Sequence, residues 1–460
     1  GANDIITHIG YDNYGRQDKQ YLPYVEGSGT AGSYRGDVSG ATKTYYKSHY
    51  SNDFTGSNNT TANPYSETLF EASPLNRVLA QGAPGDAWKI SGNHTIKSNY
   101  QTNTGSEVRL YKVTLNNTYE PSLSTSGYYD PGELYKTVVK DENWSSGNLH
   151  TTEEFKDKQG RVVLKRTYGP ADKNMDGDAT DSGESNATHD TYYVYDDYGN
   201  LTYVIPPKAA VLSLNDLLEG SSSGGSTSGT GAVYSQAVVG NGETLELTSS
   251  DVIVLQPGFH AQSGSNFRAS IDEASTGGSQ NSPLDELCYQ YRYDKRNRLI
   301  EKKIPGKGLE AIVYNNLDQP AMTRDEELKN KGQWLFTKYD PFGRVAYTGN
   351  INHTGERSSM EGIFSGAAHH YEKRQGATNV GGKTIYYSNQ AKPSGVNELY
   401  TVNYYDNYDY NPSLNLPSSS QGQTIVQGGS KVQGLPTGSL IRVLGTSSWI
   451  EVINGYDAKG

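Results

Sequence analysis

A short turn sequence recurs along this chain and limits what it can fold into more than any other feature. Tyr11-Asp12-Asn13-Tyr14-Gly15-Arg16 returns as Tyr339-Asp340-Pro341-Phe342-Gly343-Arg344 and, with small changes, as Tyr195-Asp196-Asp197-Tyr198-Gly199-Asn200. Phe155-Lys156-Asp157-Lys158-Gln159-Gly160-Arg161 reads as a copy one residue longer, and Tyr293-Asp294-Lys295-Arg296-Asn297-Arg298 puts Asn in the Gly position. Tyr314-Asn315-Asn316-Leu317-Asp318-Gln319 is more worn, and Phe70-Glu71 through Asn76-Arg77 is a degenerate copy. In each unit an aromatic residue closes an incoming strand. Asp bonds backbone amides two residues on, and Gly or Asn supplies the positive φ of a tight hairpin. Arg then opens the outgoing strand, where apolar residues alternate, as in Val162 and Leu164 or Val345 and Tyr347. A lone hairpin is at best marginally stable, so neighbouring units must pair edge to edge. The pattern predicts an all-β chain of antiparallel hairpins forming a long sheet that coils.

Composition agrees. Tyr supplies 37 of the 460 residues against 8 Phe, 4 Trp and 3 Met. Each buried Tyr brings a hydroxyl that needs a partner, which suits thin sheets with half-buried rings. The net charge of −11 and the lack of a concentrated Lys/Arg patch argue against a dedicated nucleic-acid binder. Cys288 is the single cysteine, so no internal disulfide forms. No apolar run of membrane-spanning length is present. The closing Tyr456-Asp457-Ala458-Lys459-Gly460 opens a further repeat, and the chain reads as an internal piece of a larger protein.

These repeats resemble the RHS/YD-repeat family, in the version found in large surface proteins of Bacteroidetes-type bacteria. Tyr21-Leu22-Pro23-Tyr24, Lys140-Asp141-Glu142-Asn143-Trp144, Trp334 through Asp340 and Gly434-Leu435-Pro436-Thr437-Gly438 carry the resemblance further. It implies a β-sheet that spirals into a hollow shell and encloses or displays a C-terminal cargo domain of the same polypeptide, in many members a toxin. It also implies export to the cell surface by type IX secretion, with translocon components as partners. Asp340-Pro341 lies inside an ordinary repeat turn and is not a cleavage motif.

The repeats divide into residues 1–208 and 286–460, around an insertion at 209–285. Within it, EGSSSGGSTSGTG (219–231) reads as a flexible linker and 272–283 as a second polar stretch. Between them, at about 240–272, Leu245, Leu247, Val252–Leu255, Phe259, Ala261, Phe267, Ala269 and Ile271 predict three or four short strands. The block resembles a small β-module attached to Bacteroidetes surface proteins, with a binding or a spacer role. His260 reads as a turn residue.

One segment has metal-ligating character. Asp172-Lys173-Asn174-Met175-Asp176-Gly177-Asp178 places oxygen donors at positions 1, 3 and 5 and Gly at 6, as in the first half of a calcium loop. Asp178 and Asp181 add donors, although position 12 is Gly183 and not a bidentate Glu. A structural Ca2+ ion held by Asp172, Asn174, Asp176, Asp178 and Asp181 is the expectation; an acidic solvated hairpin loop is the alternative.

Enzymatic patterns are weak. The nine histidines are scattered, no His-Glu-x-x-His occurs, and the adjacent His369-His370 would point to opposite faces of a strand. A structural shell is therefore the leading expectation, without catalytic residues. A surface adhesin or glycan-binding protein, using rings such as Trp88 and Trp144, is a second, and a carbohydrate-active enzyme with paired carboxylates a third.

Overall fold

The computed structural model describes residues 4–92, 94–170, 186–219, 226–229, 232–235, 237–249, 252–255, 259–271, 282–411 and 413–459. The chain forms two compact units, Gly1–Thr114 with Ser122–Leu287, and Leu115–Pro121 with Cys288–Gly460. Each is built on an antiparallel sheet of sequential hairpins.

The sheet of the first unit contains β1 (Lys19–Tyr21), β2 (Tyr65–Phe70), β3 (Val78–Gly82), β4 (Ile96–Thr102), β5 (Tyr135–Lys140), β6 (Thr151–Lys156), β7 (Val162–Gly169), β8 (Ala187–Tyr195) and β9 (Leu201–Ile205). Each strand pairs with the next in that order. In the second unit β10 (Tyr289–Tyr293), β11 (Leu299–Lys303), β12 (Glu310–Tyr314), β13 (Pro320–Arg324), β14 (Gln333–Tyr339), β15 (Val345–Asn352), β16 (Val396–Tyr405), β17 (Pro436–Arg442) and β18 (Trp449–Ile453) do the same.

Sequence periodicity shows directly in burial. Along β14, Trp334, Phe336 and Lys338 are buried, while Gln333, Leu335, Thr337 and Tyr339 are half-buried. The buried face is covered by the chain between β15 and β16, which supplies α1 (Arg357–Gly362) and the hairpin Arg374–Val380/Lys383–Tyr387. Met360, Phe364, Val380, Ile385 and Tyr387 from this cover pack on Phe336, Tyr347, Leu399 and Tyr404. Each such apolar side chain contributes about 2 kcal/mol when fully buried. The tyrosines also find polar partners: Tyr387 donates to the Asn403 carbonyl at 2.8 Å and Tyr410 to that of Thr437 at 3.1 Å. Tyr404 and Tyr410 stack with ring centroids 4.1 Å apart.

Strict alternation fails at the hairpins that carry the repeated turn. The aromatic position before the turn sits at a register shift: Tyr195 faces Leu201, whereas Val194 faces Tyr203. The same shift occurs at Tyr293, Tyr314, Tyr339 and Tyr405. One extra residue on the outgoing strand forms a β-bulge, which turns two consecutive side chains inward. Val163 and Leu164 are thus both buried, as are Ala346 and Tyr347, while Val162 and Val345 remain half-buried. The alternation expected from Val162 and from Val345 is corrected accordingly.

The inserted module differs from the sheets around it. Its strands pair in parallel: Ser226–Gly229 with Thr244–Ser249 and that with Asn266–Ile271, Ala232–Ser235 with Val252–Leu255, and Val238–Val239 with His260–Ala261. Successive turns of chain stack in register, as in a small parallel β-solenoid, with Val239, Leu245 and Leu247 buried and Phe259 packed on Phe267. Ser226–Gly229 therefore belongs to the module, although its Gly/Ser composition reads as linker. His260 lies in a short strand and is exposed.

Candidate functional site

The feature repeated most faithfully is the turn itself. In the turn at Asp340, one carboxylate oxygen accepts from the Phe342 and Arg344 backbone N–H groups, both at 2.9 Å, and the other accepts from Arg344 Nε at 2.7 Å. The backbone closes the loop, with Asp340 N–H donating to the Arg344 carbonyl at 2.8 Å and Gly343 N–H to that of Asp340 at 3.0 Å. Gly343 has φ +79°, a conformation that costs other L-residues about 1–2 kcal/mol. Asp12 repeats this pattern with Tyr14 and Arg16, Asp157 with Gln159 and Arg161, and Asp294 with Arg296 and Arg298. At Asp196 the side-chain donor is Asn200. The worn copy keeps the geometry through amides, Asn315 accepting from Leu317 and Gln319 N–H and donating to Gln319 Oε1. Asp157 and Arg161 stand four apart, as do the paired residues at Asp12, Asp196, Asp294, Asn315 and Asp340, so that turn is not longer; only at Glu71, which pairs with Arg77, is the spacing six. Lys156 replaces its aromatic residue.

A second layer of contacts joins one hairpin to the next. The arginine of a turn lies beneath the following aromatic ring: Arg161 under Tyr195 at 4.8 Å, Arg298 under Tyr314 at 4.5 Å and Arg344 under Tyr405 at 4.2 Å. Each of these tyrosines, and Tyr339 after the turn that ends in Gln319, donates its hydroxyl to the carbonyl just after the turn. Tyr195 bonds Val162 at 3.1 Å, Tyr314 bonds Leu299 at 2.9 Å, Tyr339 bonds Pro320 at 2.7 Å and Tyr405 bonds Val345 at 3.2 Å. Tyrosine makes both contacts, its ring capping a guanidinium and its hydroxyl satisfying a carbonyl beside a bulge, whereas Phe70, over Arg16 at 4.5 Å, makes the first alone.

Charge is satisfied locally. Hydrogen bonding from Arg77, then Ser73, holds the Glu71 carboxyl down at about 2. Arg344, which bonds Asp406 through both terminal nitrogens at 2.9 and 2.6 Å, holds Asp406 below its ordinary range against the opposing effect of burial. On one face of the first sheet, Lys136, Glu153, Arg166 and Asp190 alternate in sign across β5 to β8. Lys136 is 3.0 Å from Glu153, and Arg166 is bidentate to Asp190 at 2.6 and 2.8 Å. These clusters fasten strands together; none presents an unpaired nucleophile beside a base.

The calcium segment at Asp172, Asn174, Asp176, Asp178 and Asp181 lies outside the described residues. Among the described residues, no group of three or more His, Cys, Asp or Glu side chains is placed to hold a metal ion. Cys288 is buried. Trp144 is half-buried, and Lys140 Nζ sits 3.7 Å from its ring centroid, so that face is occupied. Trp88 is 41% exposed and borders two clefts of about 310 and 410 Å3, one with Tyr46, Tyr50 and Pro84, the other with Glu67, His94 and Glu142. Among the described residues no helix is long and apolar enough to cross a membrane.

Two turns escape the sequence pattern. Asn116 accepts from Thr118 and Glu120 N–H and donates to Glu120 Oε2, with Tyr119 at φ +61°. Its spelling, Asn-Asn-Thr-Tyr-Glu, shares the Asn-Asn opening and the Asn-to-acceptor spacing with the worn copy at Asn315 but has no aromatic residue before it. In the other, Tyr405-Asp406 opens a turn that closes far downstream. Asp406 N–H donates to the Leu435 carbonyl at 3.1 Å, and Gly434 N–H donates to Asp406 Oδ1 at 2.7 Å. Tyr456 then bonds the Pro436 carbonyl at 2.6 Å, which puts Leu435 where arginine usually stands. The Tyr-Asp pair and the Gly434-Leu435-Pro436 segment are both visible in the sequence, but nothing there joins them across the intervening loop.

A family model described as a domain of unknown function, DUF6443, matches residues 1–102. No curated protein matches the chain. Among solved structures, TcdB2-TccC3 without its hypervariable C-terminal region aligns over 98% of this chain at 13% identity with a TM-score of 0.36. TcdB2-TccC3-Cdc42 aligns at 11% identity and 0.38, and a Tc holotoxin pore of Photorhabdus luminescens at 12% and 0.36. The chain spans 17% of the length of each of those chains.

Proposed function

We propose that this chain is a scaffold, a section of β-sheet wall in an RHS-like shell that encloses or displays a C-terminal cargo domain of the same polypeptide. The observation behind this reading is the interlocked turn. Asp fixes its own hairpin, Arg leaves that hairpin to lie under the next aromatic ring, and Tyr returns a hydrogen bond. Each hairpin thereby orients its successor, which is what a wall of sequential repeats requires. The clustered charges are spent on these contacts, and the reading assigns no turnover of an external substrate. The solved structures named above include Tc toxin assemblies, a setting compatible with a toxin as cargo. The sequence resemblance to Bacteroidetes surface proteins adds type IX export to the cell surface, with translocon components as partners. The acidic segment from Asp172 to Asp181 is proposed to take a structural Ca2+ ion. Electron microscopy of the full-length protein tests the main reading. A hollow particle whose interior cargo resists protease supports it, and a solid particle with freely digested cargo overturns it.

A second reading, a glycan-binding surface, draws on Trp88 between its two clefts. Binding on a glycan array that Trp88→Ala abolishes would favour it.

A further inference from the structure

Three polar side chains in the second unit, Lys338, Glu372 and Asn389, serve neither the turns nor the apolar core. Lys338 projects from β14 into the core that the Arg374–Val380/Lys383–Tyr387 hairpin covers, and it is fully buried together with Glu372. A buried ion pair gives little net stability over apolar residues of similar volume, so stability alone does not account for it. The partners are specific. Lys338 Nζ lies 2.9 Å from Glu372 Oε1 and 2.6 Å from the side-chain oxygen of Asn389. Tyr347 donates its hydroxyl to that same Asn389 oxygen at 3.1 Å and to the Ser388 carbonyl at 3.0 Å. Glu372 is held in place by Ser388 Oγ at 2.6 Å and by the Gln390 and Ala391 N–H groups, both at 3.0 Å. Asn389 itself reaches the surface.

We propose that Lys338 and Asn389 form an intramolecular isopeptide bond, with Glu372 as the proton carrier and Tyr347 as the hydrogen-bond donor to the reacting amide. The arrangement holds an amine against a carboxamide, a carboxylate against the amine, and a hydroxyl against the amide oxygen, with the amine and the carboxylate fully buried. Burial disfavours the charged form of Lys338 and so lowers its pKa, against the pull of Glu372. Glu372 accepts a proton from Nζ, and the freed lone pair attacks Cγ of Asn389. Charge develops on Oδ1, where the Tyr347 hydroxyl receives it. Glu372 delivers that proton to Nδ2 and takes a second one from the now cationic Nζ, the Cγ–Nδ2 bond breaks, and ammonia leaves through the exposed side of Asn389, carrying the second proton away as ammonium. One protonated amine and one primary amide become one secondary amide and one ammonium ion, without oxidant, nucleotide or metal. The bond would fasten the covering hairpin to the sheet at residues 51 apart in sequence.

Intact-mass spectrometry of the purified protein is the test. The expected mass is one ammonia below that of the sequence, and a protease digest should yield a branched peptide joining the segments that contain Lys338 and Asn389. Asn389→Ala alters a side chain at the surface and should fold with the full sequence mass. Asn389→Asp should still link, losing water instead of ammonia. Glu372→Gln should leave the protein unlinked, and linkage in that variant at the wild-type rate would remove Glu372 from the mechanism. A cooperatively melting wild-type protein with the unreduced sequence mass overturns the proposal whatever the variants do.

Discussion

Asp340 shows how much structure one carboxylate can hold. It is buried, accepts two backbone amides and an arginine, and leaves none of those donors idle. Asp340→Ala removes all three bonds and strands part of the Arg344 charge, with an expected loss of about 3 kcal/mol in urea unfolding of the second unit. Asp340→Asn should cost only about 1 kcal/mol, because its oxygen still serves the amides as Asn315 does. Tyr405→Phe keeps the ring over Arg344 but loses the bond to the Val345 carbonyl, and should cost about 1 kcal/mol by the same measurement. Acid sensitivity follows from the depressed carboxyls. Glu71, held at about 2 against an ordinary 4.5, and Asp406, also lowered, favour the folded state wherever the unfolded chain would bind the proton more readily. Their contribution is present in full above about pH 4.5 and fades as pH falls toward the folded values. The urea midpoint should therefore drop between pH 5 and about pH 3, and a midpoint that stays level on acidification would contradict this.

At the scale of elements, the bulge and the glycine act together. The left-handed residue closes the turn, and the bulge that follows re-aims the outgoing strand so that two neighbours face inward. Gly343→Ala should cost about 1–2 kcal/mol. Gly343→Asn should cost less, since Asn297 holds the equivalent position at φ +58°. Thermal melts of the two variants beside wild type give the order directly. The inserted module is a separate element. The helices Leu214–Glu219 and Pro283–Leu287, at its entrance and exit, pack on each other, so the ends of the insertion are already close. Replacing residues 220–281 with a short Gly/Ser linker should leave hydrogen-exchange protection of β5 to β9 unchanged. Loss of protection there would mean that the solenoid supports the sheet.

For the whole molecule, the hairpin architecture was legible because its cause is local. Tyr-Asp-x-x-Gly-Arg encodes a turn within six residues, and a turn with flanking strands can pair only as an antiparallel hairpin. Gly15, Gly160, Gly199 and Gly343, and the substitute Asn297, announce the left-handed backbone without any tertiary information. Contacts between distant segments were not legible in this way. Asp406 and Leu435 are separated by a loop whose length hides the turn they share. The solenoid spelled its apolar positions but not its parallel pairing, because strand direction depends on how the chain returns, not on which residues alternate. The second buried residue after each bulge breaks the period of two that sequence reading relies on. Lys338 stands in the sequence directly before the Tyr339-Asp340 pair, and its meeting with Glu372 and Asn389 depends on the hairpin that folds over β14. The sequence by itself thus determined the repeating unit, since backbone sterics and an Asp acceptor act over a few bonds. Only the tertiary structure decided which Arg lies under which Tyr and which amide meets the buried lysine, because those choices are made by packing between segments that sequence distance does not relate.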